Sequence, residues 1–421
     1  MMKDKTIVRK PDSPNFAKKL LLFLTSIIFA LAIGEIALRL LGHKRTGSLY
    51  TTDRQLGWAL RPGAGAWVTD EGFAWSKINS HGFRDRERTL DKPPGVYRVA
   101  VVGDSFTQSC EVDLDKTFTA LAERDLNLRT CCGAREVEVL NFGVSGYGTS
   151  QELLLLRHHV WKFNPDLVVL QIFPCNDLFN NIRALNPSPP DQSPYFLLRN
   201  GKLELDESFR HGIAFNPTYI KLKDVSAEIV NNSELFKMIF QLRLVYGQRE
   251  RNARMEGVSN RPSDPNAPPP DFQQFLFFQP PAIPPMVEAW QVTEAVLAEF
   301  YQEVRARHAL LLILLMPASP QIHYDPKERD RFCAKFNLES LDYADERIEQ
   351  HACANGIPAM RLSKPLLEEA VRTRTFMYGF ANTRPNDGHV NERGHEVIAR
   401  EMVKAIREIA CAGDPVTAVA K

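Results

Sequence analysis

From residue 97 onward the chain alternates near-continuous apolar runs with helical periods. Apolar, β-branched runs stand at 97–102, 136–142, 166–172, 309–316 and 357–362. Each has strand length, and near-continuous apolar character predicts strands buried on both faces. Helical spacings lie between them. Phe118, Leu121 and Ala122 share a face after the first run, and Gln151 to Trp161 follows the second. Val296, Phe300 and Val304 stand four apart before the fourth run, and Glu396 to Ile409 reads as a terminal helix. Strands alternating with helices predict an α/β domain over 97–415 whose five-stranded parallel sheet is covered on both faces.

The alternation is interrupted once, at about 183–286. This stretch holds Asn186-Pro187-Ser188-Pro189-Pro190 and nine prolines between 262 and 285. Prolines at that density break helices and central strands, so an insertion or cap beside the sheet is expected, with one or two helices in 216–250. Residues 43–96 form a polar, glycine-containing lead-in without long periodicity, read as an ordered wrap or short β excursions.

The amino terminus has a different pattern. Residues 1–19 form a basic tail carrying Lys3, Lys5, Arg9, Lys10, Lys18 and Lys19, and Leu20 to Gly34 bears no charge. As a helix, residues 20–41 would reach about 33 Å, enough to cross a hydrocarbon core. Glu35 and Arg39, four apart, can pair at its outer end. Basic residues ahead of the span favour a cytoplasmic amino terminus, with everything after about residue 42 translocated. The expectation is a single-pass protein of the inner (plasma) membrane with its main domain periplasmic or extracellular. Cleavage after Ala30-Leu31-Ala32, as a signal peptide, is the alternative, and it also exports the domain.

The 421 residues carry 52 basic and 51 acidic side chains, a net charge of +1, so no overall field steers the protein toward nucleic acid. Seven cysteines contain no Cys-x-x-Cys, and the adjacent Cys131-Cys132 do not suit a tetrahedral metal site. No metal and no organic cofactor is expected. An exported domain could carry disulfides, with at least one thiol left over.

Candidate chemistry gathers where the apolar runs end, and ligands collect at the carboxyl ends of parallel strands. The first run breaks at Gly103-Asp104-Ser105. A serine there is a weak nucleophile until a neighbouring base takes its proton. His389, in Asn386-Asp387-Gly388-His389, is the candidate base, and Asp387 is the carboxylate that could orient it. His395 falls inside the terminal helical period and reads as packing or surface. Gly146, in the turn after the second run, and Asn176, after the third, supply amides suited to an oxyanion. Glycines 143, 146 and 148 run Gly-x-x-Gly-x-Gly, not the order that dinucleotide binding needs.

Taken in order, Gly103-Asp104-Ser105-Phe106, Gly146 in Asn-Phe-Gly-Val-Ser-Gly, Asn176-Asp177, and Asp387 with His389 resemble the four conserved blocks of the SGNH (GDSL-type) hydrolases. The resemblance covers roughly 97–182 and 290–410. It implies a flavodoxin-like three-layer α/β/α fold and serine ester hydrolysis. It also implies Ser105 as nucleophile, His389 as base with Asp387 as its partner, and Ser105, Gly146 and Asn176 as the oxyanion hole. The chain departs from the pattern twice. Pro174 stands where the third block has glycine, and Asn386 occupies the position three before the histidine where the family carries its aspartate.

An extracytoplasmic enzyme of this kind would meet O-acylated glycan or lipid. Two further readings stay open: an O-acyltransferase on cell-envelope glycans, and a non-catalytic glycan-binding protein on the same scaffold.

Overall fold

The computed structural model describes residues 16–42, 45–128, 133, 135–186, 192–259 and 272–411. Helix α1 (Phe16–Leu40) comes first. Two antiparallel hairpins follow, β1 (Tyr50–Asp53) with β2 (Gly57–Leu60) and β3 (Gly65–Val68) with β4 (Ala74–Lys77). The core opens with β5 (Val96–Gly103), α2 (Ser105–Gln108), α3 (Phe118–Asn127) and β6 (Glu136–Gly143). It continues through α4 (Thr149–His158), β7 (Leu167–Ile172) and α5 (Pro174–Asn180). The hairpin β8 (Tyr195–Arg199)–β9 (Lys202–Asp206) and helices α6 (Pro217–Asn232) and α7 (Glu234–Ser259) form the insertion. The core resumes with α8 (Pro284–Ala306), β10 (Leu310–Leu315), α9 (Pro326–Phe336) and α10 (Tyr343–Ala354). It closes with β11 (Ala359–Arg361), α11 (Ser363–Thr373) and α12 (Glu392–Cys411).

The central sheet has the order β11-β10-β7-β5-β6, and every pairing in it is parallel. Its strands coincide with the five apolar runs. Alternate residues point to opposite faces, as the two-residue period of a strand requires. Ala100, Val102, Val168, Leu170 and Ile313 pack on one side with Leu153 to Leu156 of α4 and Trp290, Val296 and Phe300 of α8. Val99, Val101, Val169 and Leu314 pack on the other with Phe118 and Leu121 of α3 and Ile398, Met402 and Ile406 of α12. The result is a three-layer α/β/α domain. Full burial of each such aliphatic or aromatic side chain contributes about 1.5–3 kcal/mol, so the two faces fix the sheet firmly.

β5 and β6 pair from Val96↔Glu136 through Gly103↔Gly143, so both strands end at the same level. β7 lies on the other side of β5. The turns after all three therefore open at one edge of the sheet. Gly143 is needed there for close approach: a Cβ on it would fall 2.1 Å from the backbone nitrogen of Gln108 in α2.

The lead-in wraps this edge. Arg84 is fully buried and donates through Nη1 to the carbonyls of Gln108 (3.2 Å) and Ser109 (2.7 Å) and through Nη2 to that of Val112. Trp58 Nε1 donates to the Ser145 carbonyl at 3.1 Å. Helix α1 is exposed along almost its whole length, and among the described residues it is the one helix long and apolar enough to cross a membrane.

Candidate active site

Ser105 opens α2 directly after β5. The side chain of Asp104 caps that helix, accepting from the Phe106 amide at 2.9 Å, which holds the serine at the turn. Ser105 is 8 % exposed, and its Oγ lies 2.8 Å from His389 Nε2. These atoms belong to residues 284 positions apart. The imidazole comes from the loop before α12, where Asn386 and Gly388 both have positive φ (59° and 79°).

Behind the ring stands a carboxylate that sequence reasoning did not single out. Glu71, in the turn between β3 and β4, receives His389 Nδ1 at 2.8 Å and the His389 backbone N–H at 2.7 Å, both on Oε2. In the neutral ring, with its proton held on Nδ1 by Glu71, Nε2 is the acceptor facing the Ser105 hydroxyl. Gly388 makes this approach feasible, because a Cβ there would meet Glu71 Oε2 at 2.4 Å.

Asp387 does not take that place. Its side chain is exposed and accepts from the Gly388 amide at 3.0 Å, turned back on its own loop. The left-handed turn at Asn386 and Gly388 carries the carboxylate outward. The expected pairing of Asp387 with His389 is therefore replaced by Glu71. Asn386, at the position where the family aspartate would stand, donates through Nδ2 to the Ser319 carbonyl at 3.0 Å.

A second acid lies close by. Glu111 Oε1 is 3.5 Å from His389 Nδ1. Burial, reinforced by the charge of Glu71, pushes the Glu111 carboxyl up despite the opposing pull of His389. Burial also acts to raise Glu71, but its hydrogen bonds and ionic attraction to His389 prevail and hold it below the usual carboxylate range. Burial alone would lower His389; the carboxylates of Glu111, Glu71 and Asp104 outweigh it and raise the imidazole to about 9. Glu71, Glu111 and His389 are also the group among the described residues whose ligand atoms, all within 4.8 Å, could hold a metal ion. An ion on Nδ1 would have to displace the Glu71 hydrogen bond.

The other predicted residues sit at the same sheet edge. Gly146 has φ 82° in the turn after β6, and the carbonyl of its neighbour Ser145 is held by Trp58. The Ser145 amide donates to Gln108 Oε1 at 2.7 Å. Asn176 lies in the first turn of α5 after β7, with Pro174 as that helix's first residue, and its Nδ2 donates to Asp104 Oδ2 at 2.9 Å. An amide nitrogen has two hydrogens, so this bond fixes the group and leaves one donor. His395 is buried, its ring stacked on Phe118 with Nδ1 accepting the Phe118 amide at 3.3 Å. Burial holds it down to about 3, which makes it a neutral packing residue.

A cavity of about 510 Å³ opens over Ser105 and His389. Its walls come from residues 46–50, the β3–β4 hairpin, the segment 108–111 and helix α7.

Comparison with family models and with curated proteins gives no match. Several solved structures are similar. The acetyl xylan esterase AlAXEase aligns over 73% of this chain and 98% of its own, at 14% identity and a TM-score of 0.35. A putative lipolytic protein of the G-D-S-L family from Desulfitobacterium hafniense DCB-2 aligns over the same shares at 9% identity and a TM-score of 0.34. A catalytic mutant of the acetylxylan esterase Axe2 from Geobacillus stearothermophilus aligns over 74% of this chain and 94% of its own, at 12% identity and a TM-score of 0.37. At these identities and scores the likeness carries no argument about chemistry, which rests on this chain's own residues.

Proposed function

We propose that this protein is a serine ester hydrolase of the SGNH type, held at a membrane by α1 with its catalytic domain outside the cytoplasm. The observation that carries the reading is the relay Ser105 Oγ–His389 Nε2–Glu71, with 2.8 Å at each step. A hydroxyl within hydrogen-bond reach of an imidazole whose other nitrogen is held by a carboxylate is the arrangement that nucleophilic catalysis needs.

The reaction proceeds in two steps. Ser105 Oγ attacks the ester carbonyl carbon as its proton passes to His389 Nε2, and the carbonyl π pair moves onto oxygen. The backbone N–H groups of Ser105 and Gly146, with the second Nδ2 hydrogen of Asn176, stabilise that oxyanion. The bond to the leaving alcohol then breaks, and the alkoxide takes the proton from Nε2. Water attacks the acyl-serine next, again giving its proton to Nε2, and Ser105 leaves with that proton as the carboxylic acid is released. Glu71 keeps the Nδ1 proton in place and balances the imidazolium charge. The role sketched for Asp387 thus passes to Glu71.

The test is hydrolysis of an aryl acetate by the full-length protein. Ser105→Ala should remove all but the residue of rate that binding and oxyanion donors can give. Turnover equal to the parent would end this assignment.

A further inference from the structure

We infer that the cavity over Ser105 takes an ester whose acyl group is a medium or long alkyl chain presented at the membrane surface, an inference that rests on the esterase reading above. The lining of the cavity is mixed. Ser105, His389 and Glu71 supply its reactive groups, Thr46, Ser48, Asp70, Gln108 and Gln241 add polar ones, and Leu49, Trp67, Phe240 and Leu244 contribute the apolar wall. Its volume of about 510 Å³ falls within the roughly 300–1,000 Å³ of small-molecule sites. An acetyl group would leave that wall facing water. An alkyl chain would cover it, at a gain of about fourfold in transition-state affinity for each methylene buried.

The wall is also tied to the end of the membrane helix. Phe240 and Leu244 belong to α7, whose first turn is clamped to α1. Glu35 of α1 accepts from Ser233 Oγ at 2.8 Å and from the Glu234 and Leu235 amides at 3.0 Å each. Arg39 donates to the Asn232 carbonyl at 2.8 Å, and Arg45 to Glu234 at 3.1 Å. Thr46, which lines the cavity, follows Leu40 by only six residues, a reach of at most about 22 Å. The cavity therefore lies close to the bilayer surface whenever α1 spans it.

The faces of α6 and α7 fit the same setting. Leu222, Val225 and Ile229 on α6, and Ile239, Leu242 and Tyr246 on α7, recur at intervals of three and four, and all six are exposed. Such spacing places each triplet on one helix face. Exposed apolar surface beside a membrane helix suits contact with lipid. A substrate that partitions into that lipid would reach Ser105 past α7, where the lining residue Leu244 is 45 % exposed.

The experiment compares p-nitrophenyl acetate with p-nitrophenyl octanoate on the full-length protein in phospholipid nanodiscs. The parent should favour octanoate in kcat/KM by at least tenfold. Leu244→Asn and, separately, Phe240→Ser should lower the octanoate-to-acetate ratio at least fivefold, with fluorophosphonate labelling reporting that each variant keeps a formed site. Ser105-dependent turnover that favours acetate overturns the inference alone, whatever the variants do. So does a ratio unmoved in both labelled variants. Turnover independent of Ser105 would instead remove the esterase reading, and this inference with it.

Discussion

Glu71 Oε2 accepts both the ring Nδ1–H and the backbone N–H of His389, at 2.8 and 2.7 Å, across 318 positions of chain. One carboxylate oxygen therefore fixes the tautomer of the imidazole and the path of the loop that carries it. The segment that supplies it precedes the α/β core, so the lead-in is part of the candidate active site.

The first prediction separates the two acids. Glu71→Gln keeps the size of the side chain but removes its charge, and it should lower kcat/KM on an aryl acetate by roughly 10³–10⁴, as loss of the orienting carboxylate does in serine hydrolases. Asp387→Asn, at an exposed side chain turned away from the ring, should stay within about twofold of the parent. Steady-state kinetics on both variants decides between them; the reverse order would restore Asp387.

The pH profile follows from the same pair. His389 acts as a base only when neutral, and its neighbours raise it to about 9. In the free enzyme kcat/KM should thus climb as pH rises and level off only above about 9. Glu71→Gln and Glu111→Gln each remove a negative neighbour, so each should move the midpoint of that limb downward, toward the ordinary histidine value. A limb unmoved in Glu111→Gln would show that this acid is neutral in the parent.

Gly388 is constrained twice over. Its φ of 79° disfavours any L side chain, and a Cβ would fall 2.4 Å from Glu71 Oε2. Gly388→Ala should cost about 1–2 kcal/mol of stability from the backbone alone. Displacing Glu71 should add a loss of kcat. Thermal unfolding and kinetics on one preparation read the two effects separately.

Arg84 ties the lead-in to the segment just after Ser105. Its guanidinium supplies three buried carbonyls, those of Gln108, Ser109 and Val112. Arg84→Met would leave them without that donor, and it should destabilise the protein by about 3 kcal/mol. Denaturant unfolding measures this.

The sheet was legible because its core strands are largely apolar, β-branched-rich runs set between helical periods. The five expected strands match the observed ones to within a residue or two, from Val96–Gly103 to Ala359–Arg361. Ser105 and His389 were legible too, since both stand where apolar runs or a helical period begin or end, and the structure brings them together. Glu71 was not. It sits in the turn of a short hairpin with no periodic signal, and its contact with His389 is purely tertiary. The one sequence hint was negative: Asn386 stands where a carboxylate was due. The clamp of α7 on α1 through Glu35 was equally hidden, because helical spacing says nothing of which neighbour a helix end will meet. The pairing of Glu35 with Arg39 was local, four residues apart, and the structure shows it at 2.7 Å. Pro187 to Pro190 and Pro262 to Pro270 lie outside the described residues, as do Cys131 and Cys132.

The most direct test is chemical. Full-length protein treated with a small fluorophosphonate should gain one covalent adduct, on the peptide carrying Ser105, and His389→Ala should slow that labelling by at least a hundredfold. Failure of Ser105 to label, or equal labelling without the imidazole, would contradict the account.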